Sequence, residues 1–418
     1  MDKNWILRDL ATIWHPFTQA LTAPPPIPIV RAKGATLYSE TGEAYLDAIS
    51  SWWVNLHGHA HPVIANAIAR QAEILEHVLF GGCTHPQAIL YAERLLALLP
   101  EYSRVFYSDN GSTAIETALK MVFQASGEAK TLLSFEGAYH GDTFGAMSAA
   151  GKTHFNRPFW PYLFEAVSIP PPFFGREEES WVAFERAIRS GRIGAFIFEP
   201  LIQGAGGMRL HSDDLLAKMV RTCREKGIFT IADEVMTGFG RTGPLFACSR
   251  LGIWPDLLCL SKGITGGFLP LAATLAKEEL FNAFISPDPK RAFLHGHTYM
   301  GSPLGCAAAN ASLDLLLLPE CEEARGKIEF SHRRVQKEWE GHPKLSRVDV
   351  LGTILALEYR VDAASYYNPL KSRLSDFFLS RGILLRPLGN VLYVLPPYCI
   401  QEEELEKIYS AISETLEW

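Results

Sequence analysis

The sequence predicts an α/β fold, with a large domain built on a mainly parallel sheet between helices and a smaller α+β domain formed by both termini. Three observations lead there. From about residue 60 the chain alternates helical patterns with short apolar runs, among them "TLLSF" (131–135), "GAFIFEP" (194–200) and "LLCLSK" (257–262). Such runs suit strands covered on both faces, the usual situation in parallel sheets. Beyond about residue 310 the pattern changes. There "GILLRPL" and "VLYVLPP" read as hairpin strands around Gly389-Asn390, and a last helix carries Leu405, Ile408, Tyr409, Ile412 and Leu416 on one face. Finally, 418 residues are enough for a large core and more than one lobe.

Taken in order, "APPPIPIV" (23–30) is a proline cluster, and "ATLYSETGEAYLDAISSWW" reads as two short strands around Thr41-Gly42. A helix begins at Pro62, the favoured first-turn position, with Ile64, Ala67, Ile68, Gln71, Leu75 and Val78 on one face. Another runs from near Pro86 to before Pro100. A third follows "SDNGS", with Ile115, Ala118, Leu119, Val122 and Phe123 at helical spacing. Strands at "GIFTIADEV" (227–235) and "LAATLA" (271–276), with helical pieces around 180–190 and 212–226, complete the alternation. The expected division places residues 1–50 and 310–418 in the small domain and 51–309 in the large one.

A formal net charge of −7 with no Lys/Arg run argues against nucleic acid or an anionic membrane surface as a partner. The seven cysteines are scattered and never spaced C-x-x-C, which reads as reduced thiols in a cytoplasmic protein. The opening "MDKNWILRDLATIWHP" lacks the apolar core of a signal peptide, and no apolar run approaches the ~18–20 residues of a membrane helix.

Three motif matches fail their physical tests. "GFGRTG" (238–243) fits a dinucleotide fingerprint, but Pro244-Leu245-Phe246 follows where a helix must open. "GAMSAAGKT" (145–153) has five residues between Gly145 and Gly151 where a phosphate-binding loop has four. The alternating histidines of "HGHAHP" (57–61) lack a carboxylate or cysteine partner set nearby, so hydrogen-bonded loop histidines explain them better than a metal.

The stretch "LCLSKGITGG" ends a buried strand in Lys262. A lysine there either snorkels to the surface or sits in a dry pocket, where burial makes its neutral, nucleophilic amine accessible. If it forms a Schiff base with an aldehyde cofactor, pyridoxal 5′-phosphate is the candidate, and that cofactor has three handles. Its ring nitrogen wants a buried carboxylate: Asp233, in "TIADEV", closes an apolar strand, although a helix cap or surface acid reads the same way. Its phosphate wants a helix N-terminus: Gly111 and Ser112 open the helix after "SDN", although a plain N-cap fits equally well. Its ring wants an aromatic face: Tyr139, in "GAYHGDT", stands in a glycine-flanked loop, although packing is the commoner role.

Together "SDNGSTAIETALK", "YHGDTFGAMS", "FEPLIQGAGGM", "IADEVMTGFGRTG", "LSKGITGG" and "HGHTYMGSPLGCAAA" resemble the class III pyridoxal-phosphate aminotransferases of fold type I. The resemblance runs over nearly the whole chain. It implies Lys262 as the Schiff-base lysine, Asp233 as the ring-nitrogen partner, Tyr139 as the stacking residue, and Gly111 and Ser112 as phosphate ligands. It also implies a homodimer with active sites at the interface, where His297 and Thr298 reach the phosphate of the neighbouring subunit.

Within the family, "IWHPFTQ", "SSWWVNLHGHAHP", "FGGCTH" and "LLRPLGNVLYVLPP" resemble the members that aminate 8-amino-7-oxononanoate in biotin biosynthesis. That resemblance implies Trp52 and Gly296 in the substrate pocket and Arg386 on the substrate carboxylate, where a planar bidentate donor suits. Taken by itself, Arg386 also reads as an exposed hairpin arginine. The pattern departs at Phe17, which stands where adenosylmethionine-using members have a tyrosine. "HPFTQ" resembles lysine-using relatives and the Trp52-Trp53 pair resembles adenosylmethionine users, so the expected amino donor is S-adenosyl-L-methionine, with L-lysine as the alternative. The rivals are another ω-aminotransferase of the family, a nicotinamide-dependent dehydrogenase from a different class, and a cofactor-bearing regulator without turnover, for which the sequence shows no additional DNA-binding or sensor segment.

Overall fold

The computed structural model describes residues 4–126, 131–363 and 365–418. Its centre is a seven-stranded sheet made, in chain order, of β1 (Arg104–Ser108), β2 (Thr131–Phe135), β3 (Ala166–Ile169), β4 (Ile193–Phe198), β5 (Phe229–Asp233), β6 (Leu257–Leu260) and β7 (Ala272–Ala276). The spatial order is β1-β7-β6-β5-β4-β2-β3. Strand β7 runs antiparallel to both its neighbours, and the remaining pairs are parallel. Strands β4, β6 and β7 are buried at every position, as sheet strands clad on both faces must be.

The covering helices follow from periodicity and punctuation. The Pro62–Ala72 and Pro86–Leu98 helices each start on proline, whose missing N–H costs nothing in a first turn. The Pro62 helix stops at Ala72, so Leu75 and Val78 lie beyond it. The Gly111–Ser126 helix buries Ala114, Ile115, Ala118, Leu119 and Val122 against the sheet, and its face of small and branched residues lets it approach closely.

Both ends of the chain meet in a second sheet. Strands Ile29–Lys33, Thr36–Ser39 and Ala44–Asp47 form an antiparallel run around the Thr41-Gly42 turn, and Ile383–Leu384 adds in parallel to the last of them. The expected hairpin around Gly389-Asn390 does not form as a sheet. Val391–Val394, buried at every residue, pairs instead with Ile354–Tyr359 in a separate three-stranded antiparallel sheet. A fully apolar strand needs both its ladder and its faces covered, and the Ile354–Tyr359 strand offers more backbone partners than the short Ile383–Leu384 segment. One bridge, Leu388 to Val391, is what remains across the turn. The closing Glu402–Leu416 helix buries Leu405, Ile408, Tyr409, Ile412 and Leu416, the face its spacing predicts. Among the described residues no single helix is long and apolar enough to cross a membrane.

The second departure is "SSWW". Ser50, Ser51, Trp52 and Trp53 all take positive φ (52°, 46°, 72° and 74°) where a strand was expected. L-residues held in that conformation cost about 1–2 kcal/mol each, so the turn needs external support. Asp47, fully buried, accepts the Ser51 N–H (2.9 Å) and hydroxyl (2.8 Å) and a contact from His59 Nε2 (2.8 Å). Ser50 donates its hydroxyl to the Leu395 carbonyl at 2.7 Å. The turn sends consecutive tryptophans to different places, Trp53 into the core and Trp52 to the surface. Replacing Asp47 by alanine leaves those half-buried donors on Ser51 and His59 without an acceptor. The expected loss is about 1–3 kcal/mol, read as a lower melting temperature of the cofactor-free protein. An unchanged melting temperature would show that packing of Trp53 alone sets the turn.

Candidate active site

Ligands of open α/β sheets sit outside the carboxyl ends of the strands, and here those ends gather chemistry from five strands. Asp109 follows β1, Tyr139 and His140 follow β2, Glu199 follows β4, Asp233 ends β5, and Ser261-Lys262 follows β6. All of them line one cavity of about 500 Å³.

Lys262 sits on its floor with a φ of 42°, a left-handed conformation that a lysine rarely adopts. Its Nζ lies 4.4 Å from the centre of the Trp53 ring. Loss of water lowers the amine's pKa from its ordinary 10.5 to about 8, even though the negative charges of Asp233 and Glu199 pull it upward. The amine is therefore partly neutral near physiological pH. The snorkelling alternative does not describe this side chain.

Asp233 is buried. Its Oδ2 accepts from His140 Nδ1 at 2.8 Å and its Oδ1 from the Val235 N–H at 3.0 Å. His140 Nε2 is buried without a hydrogen-bond partner among the described residues. Glu199, also buried, accepts from the Gly204 N–H (2.9 Å) and the Tyr139 N–H (3.3 Å). Burial, the largest influence, pushes its carboxyl up to about 7. The Tyr139 hydroxyl donates to Asp142 at 2.9 Å, and burial raises its pKa further from neutrality.

Gly111 and Ser112, at the start of the Gly111–Ser126 helix, also line the cavity. Asn110 caps it by accepting the Thr113 N–H at 3.1 Å, which leaves first-turn amides of Gly111 and Ser112 for a ligand. A Cβ on Gly111 would fall 2.7 Å from Val235 Cγ1, so glycine is required for the helix to reach the strand that carries Asp233.

A second cluster stands beside the cavity, outside its lining. The Arg386 guanidinium lies 4.2 Å over the Trp52 ring, and Trp52 meets Phe17 edge-on at 5.6 Å. Phe17 also touches Phe155 (6.3 Å), which touches Tyr139 (5.8 Å), so aromatic edges connect the two clusters. No carboxylate lies within ion-pair distance of Arg386 among the described residues. Gly296 and Thr298 are exposed and neither they nor His297 line this cavity. His297 Nδ1 instead pairs with Asp109 Oδ2 at 3.1 Å.

The chain matches the family model "Aminotransferase class-III" over residues 18–416. It is 48% identical to the adenosylmethionine-8-amino-7-oxononanoate aminotransferase of Synechococcus elongatus, across 97% of this chain and 98% of that one. The chain belongs to the class III aminotransferases. Solved structures agree with the fold. The enzyme of the same name from Methanocaldococcus jannaschii superposes with a TM-score of 0.91 at 35% identity, covering 97% of this chain and 98% of that chain. An amine transaminase from an uncultivated Pseudomonas species, bound to pyridoxal phosphate, gives 0.87 at 31% identity, covering 96% and 97%. This aminotransferase is a fold type I enzyme dependent on pyridoxal 5′-phosphate.

The cavity fits that cofactor. It offers a desolvated amine, a buried carboxylate tied to a histidine, and open amides at a helix start. The aminotransferase family also accounts for "GFGRTG" without a nucleotide: Arg241 is buried there and donates to the carbonyls of Pro396, Trp53 and Asn55, bracing the tryptophan turn. His57 and His59 bond Ser312 (3.0 Å) and Asp47 respectively. Sequence reading assigned nothing to His140 or Glu199. Glu199 carried the same signal as Asp233, an acid closing an apolar strand; His140 carried none beyond its place beside Tyr139.

With a folded-state pKa near 8, capture of pyridoxal phosphate by the cofactor-free protein should accelerate as pH rises from 7 to 9, following the neutral amine. The sign for stability is the same. Between about 8 and 10.5 the unfolded lysine holds a proton that the folded one has lost, so this group favours folding increasingly across that window. Stopped-flow absorbance of cofactor loading measures the rate, and a flat profile would mean that Lys262 titrates elsewhere.

Proposed function

We propose that this aminotransferase transfers an amino group to the 7-keto carbon of 8-amino-7-oxononanoate, giving 7,8-diaminononanoate for biotin biosynthesis, with S-adenosyl-L-methionine as donor. The reading rests on Arg386, a guanidinium without a carboxylate partner stacked on Trp52 beside the cavity, in a chain whose near-full-length relatives carry the name of that reaction. A bidentate guanidinium would take the substrate carboxylate, and the apolar wall of Trp52 and Phe17 suits the chain between carboxylate and ketone.

Lys262 would hold the cofactor covalently through Nζ. Once released, it would remove the proton from the donor's Cα and later deliver one to C7 of the acceptor. Asp233, oriented by His140, would keep a proton on the cofactor's ring nitrogen. Gly111 and Ser112 would meet its phosphate, and Tyr139 would cover the ring and exclude water. When bound, pyridoxal phosphate supplies the electron sink for negative charge at the amino-bearing carbon. Residues 1–50 and 310–418 would act as a small domain bringing Phe17 and Arg386 to the large domain, residues 51–309. Gly296 and Thr298 are exposed and outside the lining of their own cavity, which suits a homodimer in which this segment completes the neighbour's site; His297 would join it on leaving Asp109, and the enzyme would work in the cytoplasm.

Lys262→Ala should abolish turnover. Asp233→Asn should reduce kcat by orders of magnitude while shifting the melting temperature little; near-normal turnover in Lys262→Ala would overturn the assignment. The donor is tested separately. Loaded enzyme is mixed with adenosylmethionine or with lysine, and the visible band of the bound cofactor is followed. Bleaching by adenosylmethionine alone is the expected outcome. Bleaching by lysine alone would make Phe17 a marker of lysine use, and bleaching by neither would count against the oxononanoate reading.

A further inference from the structure

One side chain outside the assigned set ties two walls of the cleft together. Glu116 stands one helical turn after Ser112 on the Gly111–Ser126 helix. Its Oε1 accepts the backbone N–H groups of Gly145 (2.7 Å) and Ala146 (3.1 Å). Those amides follow directly on the loop that carries Tyr139 and His140. One turn back, Ser112 Oγ accepts the Asp142 N–H at 3.3 Å.

Glycine stands at both contacts, Gly141 in the loop and Gly145 in the first turn of the Phe144–Ala149 helix. A Cβ on Gly145 would lie 2.1 Å from a Glu116 carboxylate oxygen, and a Cβ on Gly141 would lie 2.1 Å from the Ser112 hydroxyl. Two residues four apart on a helix thus interlock with two glycines four apart in the facing segment. The helix side of this joint carries the phosphate ligands in our reading, and the loop side carries the ring-facing tyrosine and the histidine that holds Asp233.

We propose that Glu116 is a positioning residue for the cofactor, holding the ring-side loop in register with the phosphate-side helix. The proposal rests on the placement of Ser112 and Tyr139 given above. A ligand spanning both walls binds best when they are already aligned, because it then pays less ordering on binding. Both hydrogen bonds end on a single oxygen, so an amide oxygen can replace the carboxylate. The effect is therefore one of geometry, separable from charge.

The test follows cofactor release from the loaded, substrate-free enzyme after dilution into a scavenger of free pyridoxal phosphate. Glu116→Ala should release it about tenfold faster than the parent, roughly the net worth of one ordinary hydrogen bond. Glu116→Gln should stay within about twofold. Gly145→Ala should behave like Glu116→Ala, and the double variant should be no worse than either single one, as expected for two halves of one contact. Melting temperatures with and without cofactor are measured in parallel, and Glu116→Ala should reduce the rise on loading. Parental release rates in Glu116→Ala, or equal melting losses in both forms with unchanged release, would overturn the proposal. Failure of the underlying site is visible independently: Lys262→Ala would then load and hold the same visible band as the parent.

Discussion

An amine attacks an aldehyde only in its neutral form, and the burial that makes this form of Lys262 accessible organises everything near it. Burial alone would push its pKa far down; Asp233 and Glu199 oppose this, and the balance settles at about 8. Both carboxylates are themselves buried and are held by backbone amides or by His140. Each charge is tolerable because another is fixed near it, and each is fixed by a loop at the end of a parallel strand. A parallel sheet delivers several loop starts to one edge, which is how this topology gathers these groups.

The same crowding explains where the backbone is strained. Lys262 and the four residues from Ser50 to Trp53 all take left-handed conformations; Lys262 and Trp53 line the cleft, and the other three lead directly into Trp53. None is glycine, so each must be held by its surroundings. Asp47, Arg241 and the Leu395 carbonyl do this for the tryptophan turn. Glycine appears instead where the chain closely approaches a neighbour, as at Gly111 against the Val235 side chain, Gly141 against Ser112 and Gly145 against the Glu116 carboxylate. The site is thus built from close approaches that tolerate no Cβ and turns that are stabilised from outside.

Much of the large sheet was legible because fully buried strands are short, apolar and bounded by polar ends. "TLLSF" matches β2 residue for residue, and Asp233 closes β5 as an acid ending an apolar run would. Strands β1 and β3 were not foreseen, since "RVFYS" and "AVSI" mix exposed and buried positions and lack a clean period. The failed hairpin has another cause. Local pattern identifies a strand but says nothing of its partner, and "VLYV" found a distant one.

The sequence by itself determined the alternation of elements, the buried strands, the glycine contacts' positions and, through its motifs, the family. Those properties are local: they depend on side-chain period, backbone freedom and residue order. Tertiary structure decided which groups face each other. It brought Arg386 over Trp52, set His140 on Asp233, placed Glu199 beside the lysine and turned "SSWW" left-handed. Each of these depends on distances between segments far apart in the chain, and such distances are fixed only when the sheet, the helices and the returning C-terminal strands pack together.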